Sequence, residues 1–503
     1  MSSGGNSSVR LGAIPDADGT TTFTVWAPAA RTVAVRLGNE SHELERNGEL
    51  FAATLRATPG EDYVYVLDGG SGLPDPCSRF QPQGIHGLSR VVRLPPARRI
   101  GLSLDELVLY ELHVGTFSAE GTFDGAIPFL AELRELGVTA IELMPVATFP
   151  GRRGWGYDGL YAYAPHPDYG GPEGLARLVA AAHREALGVV MDVVYNHLGP
   201  GSEALTAFGP YLREDVETLW GTGLDFSQAG VREWAIQNAL LWVDDYGIDG
   251  LRLDAVGSIR DRSRRHVLSE LAERVHATEP RALVISETAV DDDRPIEEWG
   301  HDARWSDGLH HALHVLLTGE QEGYYEPYGS VDDVLVELAR RPAERHVVCA
   351  QNHDQVGNRA VGDRLPPDLL RVASSVVLFS AQTPLLFMGE EYGEPRPFQF
   401  FADHVSPEIA ETTRAGRKRE FAQWSAFSGG DVPDPQDEQT FLSSRLSRRE
   451  TPGMRDHYRR LLALRRTLPP EVEAQAHGRT LTLRRGDATL VADFDAHTVA
   501  LRA

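Results

Sequence analysis

Arg252 and Asp254 stand two residues apart in the run Gly250-Leu251-Arg252-Leu253-Asp254. In an extended strand, side chains at i and i+2 leave from the same face. A guanidinium placed there holds the neighbouring carboxylate ionised, as a nucleophile requires. Glu287 closes a second apolar run in Ser286-Glu287-Thr288, where partial burial lifts a carboxyl toward the pKa of a proton donor. Glycoside cleavage uses such a divided pair: one carboxylate attacks the anomeric carbon, and one carboxylic acid protonates the leaving oxygen and then activates water. Two more apolar runs end in polar clusters, Asp192-Val193-Val194-Tyr195-Asn196-His197 and Gln351-Asn352-His353-Asp354-Gln355. Asp354 is a candidate third carboxylate. Taken alone, an aspartate of this kind reads better as a loop cap or a surface charge. Four such run-ends together reverse that reading.

Trp155 and Tyr157 add aromatic faces, on which the apolar C–H side of a sugar ring packs. Core packing is the alternative, but Gly154, Gly156 and Gly159 place the pair in a loop, which favours a ligand. His197 and His353 suit zinc by type, yet no third partner accompanies them at metal-site spacing.

These residues need elements that converge. From about residue 100 onward, short apolar runs alternate with amphipathic stretches, the pattern of parallel βαβ units. Candidate strands cover residues 108–114, 138–146, 188–197, 248–256, 282–288, 303–310, 346–354 and 383–389, and candidate helices 123–136, 172–187, 229–246, 263–278 and 368–380. Gly137, Gly188 and Gly247 stand where helices end. The expected fold is α/β: a (β/α)8 TIM barrel, with its active site at the C-terminal ends of the strands. Before it, residues 1–100 show short alternating runs such as Thr22-Phe23-Thr24-Val25-Trp26 and read as a β-sandwich resembling a carbohydrate-binding module. Leu94-Pro95-Pro96 is linker-like. The barrel is assigned residues 101–445, of which 394–449 carry little periodicity, and residues 446–503 are expected to form a small β-domain.

The chain has 503 residues, 42% hydrophobic and 24% charged, and no apolar stretch long enough to cross a membrane. Its 49 basic and 73 acidic residues give a net charge of −24, which repels nucleic acid. The polar start at Met1–Ser8 lacks the features of a signal peptide, and two cysteines, Cys77 and Cys349, make no disulfide framework. A cytoplasmic location is expected. Oligomeric state is not legible.

The four polar run-ends resemble, in order and spacing, the four sequence regions of the α-amylase superfamily, over residues 105–395. By that resemblance Asp254 is the nucleophile, Glu287 the general acid/base, and Asp354 the carboxylate that steadies the distorted sugar. Arg252, His197 and His353 surround the cleaved glucose and Tyr157 stacks on it, with Asp192 and Trp155 as further candidate contacts. Phrases beyond these regions narrow the likeness: Tyr110-Glu111-Leu112-His113-Val114-Gly115-Thr116-Phe117, Glu142-Leu143-Met144-Pro145-Val146 and Trp305-Ser306-Asp307-Gly308-Leu309-His310-His311. They resemble the maltooligosyltrehalose trehalohydrolase family. The resemblance implies hydrolysis of the α-1,4 bond beside a terminal α,α-trehalose, with residues 302–325 shaping the leaving side. Glycogen branching or debranching activity is the alternative, and a non-catalytic glucan-binding protein a more distant one. Against branching, Asn352 and Gln355 stand where branching enzymes carry serine and glutamate. Two positions depart from the family text: Gly257 replaces a histidine, and Thr288-Ala289 follow Glu287. Residues 198–224 are short beside the calcium-holding subdomain of secreted amylases, so neither a metal nor a cofactor is expected.

Overall fold

In the computed structural model, residues 9–421 and 432–502 are described; the N-terminal residues 1–8 and part of the weakly patterned stretch 394–449 lie outside them. Eight parallel strands close into a barrel: β1 (Leu109–Leu112), β2 (Ala140–Leu143), β3 (Gly188–Val193), β4 (Gly250–Leu253), β5 (Leu283–Ser286), β6 (Ala303–Trp305), β7 (His346–Cys349) and β8 (Thr383–Phe387), with β8 pairing back to β1. Every residue of these strands is buried. That accounts for their near-continuous apolar sequence, since a parallel sheet covered on both faces has no solvent side. Leu109, Ala140, Val190, Leu283, Ile285, Trp305, Val347 and Leu385 form one interior cluster.

The helices wrap the barrel by their apolar stripes. Gly171–Arg184 buries Leu175, Leu178, Val179, Ala181 and Ala182, while Glu173 and Arg184 belong to its polar turns. The expected helix over 123–136 is broken into Phe123–Ala126, a 3-10 turn at Ile127–Phe129 containing Pro128, and Leu130–Leu136. Gly137 ends it at φ 120°. Gly188 is no cap. It opens β3, and the left-handed residue before that strand is Ala186 at φ 55°.

The expected strand over 303–310 is also shorter than its apolar text. Only Ala303–Trp305 pairs, and Gly308–Thr318 turns into a helix buried almost all round, including His310, His311 and His314. A wholly buried helix loses the periodic signal that separates it from a strand.

Ahead of the barrel, two antiparallel sheets, one including Thr20–Trp26 and Leu50–Arg56 and the other Val33–Leu37 and Asp62–Leu67, share a core of Phe23, Val25, Val33, Val35, Phe51 and Tyr65. They dock on the barrel through Trp26. Its ring meets Tyr211 at 5.4 Å, edge to face, and lies against the bare backbone of Gly230. After the barrel, the helix Met454–Arg465 packs on Pro367–Phe379, with Ser374 Oγ 3.1 Å from His457 Nε2. Four antiparallel strands, Glu473–His477, Thr480–Arg485, Ala488–Asp493 and Thr498–Arg502, complete the chain, burying Leu481, Leu483, Leu490 and Ala492 in alternation. Within 394–449 the described residues form the helices Pro407–Phe421 and Glu438–Ser443.

Candidate active site

The C-terminal ends of β3, β4, β5 and β7 bring the predicted residues together. Arg252 is fully buried, and its side chain leaves β4 on the same face as Asp254. Its Nη1 donates to Asp254 Oδ1 at 2.7 Å and to both oxygens of Asp192, at 3.0 and 2.9 Å. Asn196, three residues past the end of β3, donates from Nδ2 to Asp254 Oδ2 at 2.9 Å. Both oxygens of Asp254 therefore accept a hydrogen bond, which fixes the carboxylate's plane.

Glu287 follows β5. Its Oε2 accepts from the backbone N–H of Ala255 at 2.6 Å and lies 3.7 Å from Arg252 Nη2. Ala255 sits in the left-handed region, at φ 41°. A non-glycine residue held there next to Asp254 is a local strain of the kind that functional sites retain, and here it accompanies an amide turned toward Glu287. Burial, opposed by Arg252 and reinforced by Asp254 and Asp354, raises the Glu287 carboxyl from near 4.5 to about 8. Asp354 lies in the helix His353–Gly357, whose N-cap is Asn352: the Asn352 side chain accepts from Gln355 N at 2.8 Å and donates to Asp307 at 3.2 Å. Asn358 Nδ2 holds Asp354 Oδ1 at 2.9 Å.

Beneath these groups runs a buried hydrogen-bonded chain. Burial alone would strip His353 of its proton, but Asp354 and Glu111 outweigh it and raise the imidazole to about 9. The protonated ring donates from Nδ1 to Glu111 Oε1 at 2.5 Å and from Nε2 to the Tyr157 oxygen at 2.8 Å. Tyr157 then donates to Asp192 Oδ2 at 2.7 Å. Its ring stacks on His353, centroids 5.1 Å apart. Glu111, His353, Tyr157, Asp192, Arg252 and Asp254 are thus linked in one sequence of contacts.

The remaining predicted residues take different places. His197 is buried, bonded to Asn196 and stacked at 5.4 Å on Trp220, which is half exposed at the tip of the hairpin Leu212–Thr218/Gly221–Leu224. Trp155 is buried beside His353. It stacks on Phe398 at 5.3 Å, meets His353 edge-on at 5.5 Å, and donates to the Gln399 carbonyl at 3.0 Å. Of the segment 302–325, Asp302 stands at the N-terminal end of β6, bound to His276 and Arg281, away from the site. Asp307 stands at the other end, bonded to Asn352, with burial and the nearby Asp354 raising its carboxyl to about 6.

Glu111, Asn196 and Asn352 were not singled out as site residues from the sequence, and Trp305 and Asp307 entered only as part of residues 302–325. Trp305 lies under the Arg252 guanidinium at 4.3 Å. A lone glutamate in the apolar strand Leu109–Leu112 is the one signal that marks Glu111. The two departures from family text face one another: a Cβ on Gly257 would lie 3.3 Å from Thr288 Oγ1. Among the described residues, no group of three or more His, Cys, Asp or Glu side chains is arranged to hold a metal ion.

The family described as alpha amylase, catalytic domain, matches residues 112–208. The malto-oligosyltrehalose trehalohydrolase of Deinococcus radiodurans is 43% identical over 507 residues, covering 92% of this chain and 83% of its own. That of Saccharolobus solfataricus is 40% identical over 492 residues, with 90% and 86% covered. Among solved structures, a Salmonella typhimurium chain described as an alpha amylase has a TM-score of 0.88 at 36% identity, over 96% of this chain and 92% of that one.

Proposed function

This chain belongs to the malto-oligosyltrehalose trehalohydrolases of the α-amylase superfamily, and on that premise we propose that Asp254, Glu287 and Asp354 carry its reaction as a retaining double displacement. The chain is a glycoside hydrolase. It cleaves the α-1,4-glucosidic bond next to the terminal α,α-trehalose of malto-oligosyltrehalose and releases trehalose.

Asp254 attacks the anomeric carbon as its bond to the leaving oxygen breaks, and Glu287 gives that oxygen its proton. A water molecule then loses a proton to Glu287 and bonds to the same carbon, freeing Asp254. Asp354 steadies the flattened sugar. Arg252, His197 and His353 surround the cleaved glucose with Asp192 behind them, Tyr157 offers its ring, and Trp155 backs His353. The observation that carries this reading is the division between the two carboxyls: Asp254 receives two donors, while burial keeps Glu287 protonated. One guanidinium reaching both favours the close spacing of retaining enzymes, about 5–5.5 Å, over the roughly 6.5–9.5 Å of inverting ones. The stretch from Asp307 to Tyr325 shapes the leaving side, where trehalose sits.

We also take residues 1–100, 101–445 and 446–503 as the functional units, and a reducing cytoplasm as the location, since Cys77 and Cys349 are buried and unpaired. Among the described residues, no helix is long and apolar enough to cross a membrane. Incubation with malto-oligosyltrehalose is expected to yield free trehalose and a shortened maltooligosaccharide. Products carrying new α-1,6 branches, without free trehalose, contradict the reading and favour a branching enzyme.

A further inference from the structure

The segment that carries Asp354 is fixed as far as Arg359. The helix His353–Gly357 ends at Asn358, whose side chain holds Asp354 Oδ1 at 2.9 Å. Arg359 follows directly, its N–H bonded to the Val356 carbonyl at 3.2 Å. From the helix Pro407–Phe421, Arg417 donates to the carbonyls of Gly357 and Arg359 at 3.1 and 3.4 Å, and a Cβ on Gly357 would collide with the Trp155 ring.

The Arg359 side chain, 10% exposed, leaves this segment and meets Glu320 as a fork: Nη1 donates to Oε2 at 2.7 Å and Nη2 to Oε1 at 3.1 Å. A bidentate pair of this kind fixes angle as well as distance. Nη2 also donates to Asp363 Oδ2 at 2.8 Å, a partner on its own segment. On the other side of Glu320, His314 Nε2 lies 2.8 Å from Oε2, and the His314 ring stacks on Tyr325 at 4.5 Å. Bonds from His314 and Arg359 hold the Glu320 carboxyl well below the usual carboxylate range, so it is ionised at neutral pH.

Glu320 stands where the helix Gly308–Thr318 ends. Gly319 breaks it at φ 75°, and the chain runs on into the 3-10 turn Gly323–Tyr325. Tyr325 is buried, whereas Tyr324 is exposed, its phenol within electrostatic reach of Arg359, Asp354 and Asp307. The Arg359–Glu320 pair thus joins the chain that follows β7, with Asp354 on it, to the chain that follows β6.

We propose that Arg359, acting through Glu320, is a positioning residue for the leaving side: it sets the turn Gly323–Tyr325 against Asp354 and so contributes to the selection of a trehalose end. This rests on the reading above that the stretch from Asp307 to Tyr325 shapes that side. A pair that served stability alone would weaken all turnover alike. A positioning pair weakens turnover of substrates that carry a sugar on the leaving side and spares those that do not.

Maltotriosyltrehalose and α-maltotriosyl fluoride test this, because they bring the same sugar to Asp254 and differ in what leaves. Arg359→Met keeps the apolar stem and removes the fork. It is expected to lower kcat/KM about tenfold or more for maltotriosyltrehalose and less than about threefold for the fluoride. Glu320→Gln, at the more exposed end of the pair, is expected to give the same split and serves if Arg359→Met does not fold. Equal losses on both substrates, no loss on either, or loss of the fold in both variants overturns the proposal. The wild type is read first: if it turns over the fluoride and releases no trehalose from maltotriosyltrehalose, the hydrolytic reading falls, whereas release by the wild type without a split in the variants overturns only the role of Arg359.

Discussion

Asp254 has both oxygens bonded, by Arg252 and by Asn196, so it is oriented before any substrate enters. Asp254→Asn keeps the shape and removes the attacking charge. Steady-state assay is expected to show loss of nearly all the catalysed rate, with substrate binding retained. Glu287→Gln is expected to lower kcat by roughly 10²–10⁴-fold, the usual contribution of a positioned acid. Glu287 must begin protonated, and its carboxyl is raised to about 8. The pH profile of kcat/KM is therefore expected to fall as pH rises through about 8, a limb that Glu287→Gln abolishes; a wild-type profile flat to pH 9.5 contradicts the assignment. The pairing of Arg252 with Asp254 was legible because a period of two puts both on one face. The bond from His353 to Glu111 was not, because it joins residues 242 positions apart, and nothing in either segment announces the other.

Elements set how finely these side chains are held. Tyr157 rides on a loop that passes over the Pro145 carbonyl at Gly156, where φ is 102° and a Cβ would collide with that oxygen. Gly156→Ala is expected to shift the loop and lower kcat and Tm together, whereas an exposed Gly→Ala change compatible with its backbone stabilises by about 0.4–1 kcal/mol. Thermal melts read beside kinetics check this. The eight barrel strands were legible as apolar runs between amphipathic stretches, and the polar residues at the ends of four of them meet at one end of the barrel. The helix Gly308–Thr318 was hidden. Burial on nearly all sides erased its amphipathic period, so its text joined that of β6. Gly257 and Thr288 illustrate the converse: two unrelated departures in the sequence become one contact once β4 and β5 are neighbours.

Across the whole molecule, the N-terminal sheets and the barrel share an apolar interface. Trp26 is 3% exposed, against Tyr211 and Gly230, and Trp234 Nε1 donates to the Pro76 carbonyl at 3.2 Å. Trp26→Ala is expected to cost about 3–5 kcal/mol, the range for deleting a buried aromatic. Denaturant unfolding measures it, and a loss below about 1 kcal/mol contradicts a packed interface. The three-part layout was readable from changes in sequence texture, but the docking was not, because Trp26 looks like any inward strand residue until its partner helix is in place. Likewise, the helix Met454–Arg465 leading into the last sheet carries a weakly apolar stripe that only its packing on Pro367–Phe379 explains.

Asp254 is proposed to form the covalent link to the sugar. Trapping with a 5-fluoro-α-maltosyl fluoride, followed by peptide mapping by mass spectrometry, reads that link directly. The label is predicted on Asp254. A label on Glu287 or Asp354 would rule out Asp254 as the nucleophile.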